Sequence, residues 1–295
     1  MIPKKRLNIL LADDGSQHAQ SAVELLQSLP LPTTSRIVVV RGFTSGQIPY
    51  LPEYEKSLER TKTQLESSGF KATTILEMGP PVEKILEIAA AKKSDLIVVG
   101  AKGLRATLGI LLGGVAQQVV EYAACPVLVV RAPFQGLRRI LLVTDGSSHS
   151  QSAVRYLARF PHPEDADIRV MHVLPPEELP IMMEPYLGGW QTAYATRTDD
   201  QAAELREQQK KEGEALLART SSLLARHGLS SMPVLLRGDA ATEIIGYVAE
   251  NKIDLIVAGS RGLSEFRGFW MGSVSRKLVH YAPCSVLIVK QIKKE

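Results

Sequence analysis

The sequence predicts an α/β fold built twice: two tandem doubly wound parallel-sheet domains. Three observations carry this. First, the chain repeats. Cys125, in Glu-Tyr-Ala-Ala-Cys-Pro-Val-Leu-Val-Val, and Cys284, in His-Tyr-Ala-Pro-Cys-Ser-Val-Leu-Ile-Val, stand 159 residues apart, and the same offset relates Ser94–Gly100 to Ile253–Gly259. Second, runs of β-branched and aliphatic residues alternate with segments of helical period, as in parallel strands covered on both faces. Third, a length of 295 residues suits one large domain or two ordinary ones, and the repeat selects two.

The second copy justifies the elements in order. Arg139–Val143 reads as a buried strand. Ser148 to Phe160 follows as a helix, with Ala153, Val154, Leu157 and Ala158 at helical spacing. Ile168–Val173 is the next strand. A charged amphipathic helix is expected from about Ala202 to His227, stopped by Gly228. Met232–Leu236 is a strand, Ala241–Asn251 a helix, Leu255–Ala258 a strand, Gly272–Tyr281 a helix and Val286–Val289 the last strand. The first copy repeats this order. Right-handed crossovers then wind each sheet in both directions, and such sheets take ligands at the carboxyl ends of their strands, where the strand order reverses.

Near the start of each copy, Asp14-Gly15-Ser16 parallels Asp145-Gly146-Ser147, with Asp14 and Asp145 separated by 131 residues. The second copy is therefore 28 residues longer, mostly between Pro175 and about Glu204. The expected domains are 1–133 and 136–295, joined by the short Pro/Gly-containing linker Ala132-Pro133-Phe134-Gln135-Gly136. The insertion, with Met182, Met183, Tyr186 and Trp190, reads either as a lid or partner surface or as an adventitious loop.

Composition excludes several classes. With 35 basic and 31 acidic residues and short terminal basic runs, there is no clustered footprint for nucleic acid. Aromatics at 5% give no stacking surface for single strands. No apolar run approaches the ~20 residues of a membrane span, and the N-terminus has no secretory pattern. Two cysteines build neither a disulfide framework nor a metal site. A cytoplasmic location, with no nucleic-acid or membrane partner, is the expectation.

The chemistry-bearing pattern follows the fourth strand. The second copy reads Gly259-Ser-Arg-Gly262, then nine residues, then Gly272-Ser273-Val274. Glycines permit positive φ and close ligand approach, and a helix N-terminus with its free N–H groups suits phosphate. A plain turn with a helix cap is the competing reading. Asp145 alone reads equally as an Asx turn or helix cap.

This G-x2-G-x9-G-[S/T] pattern, with Asp-Gly-Ser after the first strand, resembles the universal stress protein family over essentially the whole chain. That family is Rossmann-like and similar to the adenine nucleotide alpha hydrolases. The resemblance implies ATP as ligand, with Mg2+ as a further expectation. It also implies that Gly259, Gly262, Gly272, Ser273 and Val274 meet ribose and phosphates and that Asp145 and Val173 meet adenine. The first copy keeps Asp14, Gly100, Gly103 and Gly113 but has Gly114 in place of Ser273 and Gly42 in place of Val173. ATP is therefore expected in the second half, and weakly or not at all in the first. Asp239 and Glu243 could assist Mg2+ through water, or simply form an acidic helix start. His172 reads as a core or rim residue more readily than a catalytic one, and His18 and His149 as helix caps.

No GxxxxGK[ST] occurs and no base, nucleophile and orienter converge. A nucleotide-dependent regulator in the stress response, with an unidentified protein partner, is the expected function. A slow ATPase or self-phosphorylating protein is the alternative, and a scaffold without ligand is a third reading for the first half. The resemblance also implies dimerisation through the last strand: Pro126 to Arg131 and Val286 to Lys290 could pair across the two halves and pack the tandem domains as an internal pseudo-dimer, and a homodimer of chains is a further possibility.

Overall fold

A computed structural model describes residues 6–103, 111–177, 199–262 and 271–291. The first half comprises β1 (Asn8–Ala12), α1 (Gln17–Ser28), β2 (Arg36–Phe43), α2 (Leu51–Ser67), β3 (Lys71–Met78), α3 (Pro81–Ala91), β4 (Leu96–Gly100), α4 (Gly114–Tyr122) and β5 (Val127–Val130). The second comprises β6 (Arg139–Val143), α5 (Ser148–Leu157), β7 (Asp167–Leu174), α6 (Asp199–Ala225), β8 (Met232–Arg237), α7 (Ala240–Glu250), β9 (Leu255–Gly259), α8 (Ser273–Tyr281) and β10 (Ser285–Val289).

All ten strands form one sheet, in the order β3-β2-β1-β4-β5-β10-β9-β6-β7-β8. Every pairing is parallel except β5 with β10, which run antiparallel with Val286 opposite Val129 and Ile288 opposite Val127. The internal pseudo-dimer is thus a hydrogen-bonded seam between the two last strands. Alternation along the seam keeps both faces dry: Leu128, Val130, Leu287 and Val289 join one apolar core, while Val127, Val129, Val286 and Ile288 join the other. Each core runs unbroken from one half into the other.

Local sequence explains the helix starts. Ser16 Oγ accepts from Ala19 N at the start of α1, Ser147 Oγ from Ser150 N at the start of α5, and Asp239 Oδ1 from Thr242 N at the start of α7. The serines, not His18 and His149, therefore cap α1 and α5. His18 Nδ1 instead accepts from Ala132 N at 2.9 Å, tying α1 to the linker, and burial lowers its pKa. The helix expected to reach Phe160 ends at Leu157. Pro161 and Pro163 follow closely, and Phe160 N–H closes a turn onto Tyr156 O and Leu157 O instead.

α6 ends as expected before Gly228, whose φ of +79° matches the +86° of Gly69 in the first half. Its N-terminus reaches back to Asp199, so α6 has 27 residues where α2 has 17. Part of the second copy's extra length is therefore helix. The Met- and Trp-bearing stretch 178–198 lies outside the described residues. Among the described residues, no helix is long and apolar enough to cross a membrane. Both cysteines are desolvated, with thiol pKa values pushed up to about 11 for Cys125 and about 12 for Cys284, so neither has the thiolate character of a redox centre.

Candidate functional site

In each half the strand order reverses between the first strand and the fourth, β1 beside β4 and β6 beside β9. The crevice outside their carboxyl ends is where a doubly wound sheet can take a ligand. In the second half this crevice holds a cavity of about 280 Å³. Every residue predicted for that site lines it: Asp145, Val173, Gly259, Gly262, Gly272, Ser273 and Val274.

The glycine loop is fixed at both ends. Ser260 N donates to Val289 O at 2.9 Å, and Gly272 N donates to Ser260 O at 2.8 Å, so the chain leaves β9 and returns beside its starting point. Ser275 Oγ then donates to Gly259 O at 2.7 Å, pinning the first turn of α8 against the end of β9. Arg261 also lines the cavity. Residues 263–270, including Arg267, lie outside the described part.

α8 differs from the capped helices. Its N-cap is Gly272, extended at φ −70° and ψ 157°, and no side chain caps it. The first-turn N–H groups of Ser273, Val274 and Ser275 therefore meet the cavity without a competing side-chain acceptor, at the positive end of the helix dipole. α4 begins in the same way at Gly113. The positive φ that glycine permits is not used by these loop glycines, since Gly259, Gly262 and Gly272 all lie outside that region. Their reason is proximity. A Cβ on Gly262 would stand 2.6 Å from Asp145 Oδ2, so only glycine lets the Asp145 carboxylate sit against the loop. Asp145 Oδ1 accepts from Ser147 N at 3.0 Å, an Asx turn. The pair Gly103 and Asp14 repeats this contact in the first half at 2.5 Å.

The halves diverge at the opposite wall. Val173 lines the second cavity together with Ala240 and Ile244 of α7. In the first half the matching residues are Gly42 and Pro81. A Cβ on Gly42 would stand 2.8 Å from Pro81 Cα. The backbone at the start of α3 thus occupies the space that the valine side chain fills in the second half. Ala240 and Ile244 escape sequence reading, although the matched turns at Gly79 and Gly238, with φ of +148° and +151°, mark where both helices begin.

His172 lies at the rim of the second cavity. Its Nδ1 is 2.9 Å from Thr144 O, which can only accept, so Nδ1 carries the proton. The ring is held to the backbone, with Cδ2 facing Gly213 of α6. Asp239, considered for Mg2+, accepts from Thr242 N and Thr242 Oγ1 and lies 3.6 Å from Lys277 Nζ; these partners lower its pKa. Lys290, which follows β10, was not anticipated. It is 8% exposed, and burial, with the charge of Arg261 next, lowers its pKa to about 8.

A tandem doubly wound α/β protein, with a cavity at the strand-order switch of its second half, is the class these features define. The model of the universal stress protein family matches residues 5–131 and again 136–290, and the chain belongs to that family. It is 37% identical over 135 residues to a universal stress protein of Thermus aquaticus, covering 42% of this chain and 97% of that one. A Synechocystis universal stress protein matches over 283 residues at 22% identity, covering 95% of this chain and 87% of its own. Among solved structures, a universal stress protein from Archaeoglobus fulgidus superposes with a TM-score of 0.65 at 20% identity, covering 98% of both chains; that likeness concerns the fold.

Proposed function

We propose that the second half binds one adenine nucleotide, ATP, and that the chain acts as a nucleotide-dependent regulator in a stress response. One observation carries this reading: a cavity at the switch point joins an apolar wall, Val173 with Ala240 and Ile244, to the uncapped N-terminus of α8. The wall suits a base, and the helix start suits phosphate. Gly259, Gly262, Gly272, Ser273 and Val274 would face ribose and phosphates, and Asp145 the base. The first half keeps the phosphate-facing elements around Gly100, Gly103, Gly113 and Gly114, with Asp14 beside Gly103. The approach of Pro81 to Gly42 narrows its base wall, so adenine is disfavoured there.

Regulation follows if the nucleotide-bound and free forms differ in affinity for a partner. The test is to release and identify the nucleotide from purified protein, titrate the stripped chain with ATP, and follow labelled ATP on incubation. One ATP per chain, recovered unchanged, is expected. Two equal sites would overturn the asymmetry, absence of binding would overturn the reading, and turnover would favour the ATPase.

A further inference from the structure

Arg131 and Lys290 stand 159 residues apart and occupy matched positions directly after β5 and β10. Each reaches across the seam to the opposite half. Arg131 Nη2 donates to Val279 O and His280 O, both at 2.9 Å, in the last turn of α8. Its Nη1 donates to Leu111 O at 2.8 Å, at the end of the first half's own glycine loop. Lys290 Nζ donates to Glu121 O at 3.0 Å, in the last turn of α4.

Both helices therefore start in one half's glycine loop and end on the other half's cation. α8 has nine residues, about 13 Å of hydrogen-bonded rod. A rod of that length transmits an axial shift or tilt from its first turn to its last. Its dipole also favours an anion at the start and a cation at the end. The guanidinium fork makes Arg131 suited to bridging, because it holds two α8 carbonyls and the Leu111 carbonyl at once.

We infer that Arg131 couples the start of α8 to residues 111–117 at the start of α4: phosphate arriving at the start of α8 in the second half tightens the α8–Arg131–Leu111 bridge and slows local opening at 111–117. This rests on the nucleotide reading above. It makes the first half a responder to the second half's ligand. The contacts from the end of α8 to Leu111 are the three Arg131 hydrogen bonds, and the coupling free energy they carry is what exchange rates measure.

The test is amide hydrogen exchange of the full chain, read at residues 111–117 with and without saturating ATP. ATP should slow exchange there by about fivefold, the low end of inter-site couplings. In Arg131→Lys, a point charge can hold α8 but not bridge to Leu111, so ATP should still bind by titration while the slowing at 111–117 disappears. The matched Lys290 shows that the seam accepts a lysine at this place. If wild-type chain binds ATP without slowing there, or Arg131→Lys slows equally, the coupling is overturned and the nucleotide reading stands. If wild-type chain fails to bind ATP, both fall.

Discussion

Replacing Gly272 with aspartate should leave the stability of the fold level and destroy the site. Gly272 is the N-cap of α8, already extended and without a side-chain cap. An aspartate there can accept from the first-turn N–H groups, but over glycine this gains only about a few tenths of a kcal/mol. Its Cβ would meet Arg261 Cα at 3.3 Å, tight by a few tenths of an ångström, which returns part of that gain. Melting should therefore stay level to within about 1 °C. Nucleotide binding should move the other way. The carboxylate takes donors that a phosphate would use, each worth about 1.5–3 kcal/mol to a charged acceptor. It also places like charges about 4 Å apart, an upper bound of ~4 kcal/mol at an effective dielectric of 20. Half of that repulsion plus one lost bond is about 3.5 kcal/mol, or roughly 300-fold in Kd. Gly272→Asn provides the control: it caps without charge and should lose only about tenfold. Calorimetric titration with ATP, paired with thermal melts, reads both effects. If Gly272→Asp binds ATP as wild type does, the α8 start is not the phosphate position.

Two further outcomes follow from the same geometry. Val173→Ala removes two methyl-sized groups from the base wall; with the base covering one side of them, the loss is about 1 kcal/mol, or roughly fivefold in ATP affinity by titration. An unchanged Kd would remove Val173 from the site. Lys290 faces the charge of Arg261 from the loop after β9, Glu121 of α4, and Cys125 before β5, and its pKa falls from 10.5 to about 8. The folded state thus releases this proton before the unfolded chain does, so stability is held back below about pH 8 and recovers as pH rises toward 10.5. Relative to Lys290→Met, wild-type protein should gain about 2 kcal/mol between pH 7 and 9.5 in urea midpoints, and parallel curves would refute the buried-ammonium account.

Much of this architecture is legible from spacing. The recurrence of Cys125 at Cys284 and of Asp14 at Asp145 defines two copies, and the apolar runs Val127–Val130 and Val286–Val289 already carry the seam, because strands buried on both faces need a partner at every edge. The predicted site residues also come together, since motif order along a doubly wound sheet fixes which loops share an edge. What sequence could not supply was the reason for each glycine. Gly262 reads as freedom of φ but serves the approach of Asp145, which only a folded contact distance reveals. Gly42 reads as a missing wall, yet it is matched by an advance of α3 through Pro81, a tertiary adjustment without local signature. Arg131 and Lys290 look like ordinary charges after a strand; their roles appear only once the antiparallel seam carries them to the opposite half's helix ends.

The seam also bears on why a half with a narrowed base wall would persist beside one with an open cavity. β10 is buried at all five positions, and β5 supplies its only antiparallel neighbour among the described strands. Without the first half, Val286 and Ile288 would lose the neighbours that complete their core, and the bare edge of β10 would invite another chain. The seam thus holds both halves by packing and hydrogen bonds, independent of any ligand. The demand on Gly42 is different: a valine there would drive α3 off the sheet, whereas the glycine satisfies strand and helix together. Selection on the first half can therefore act on the seam, on Arg131 and on α4 without acting on a base wall. Asymmetric wall geometry inside a symmetric sheet then follows from which contacts the shared core requires.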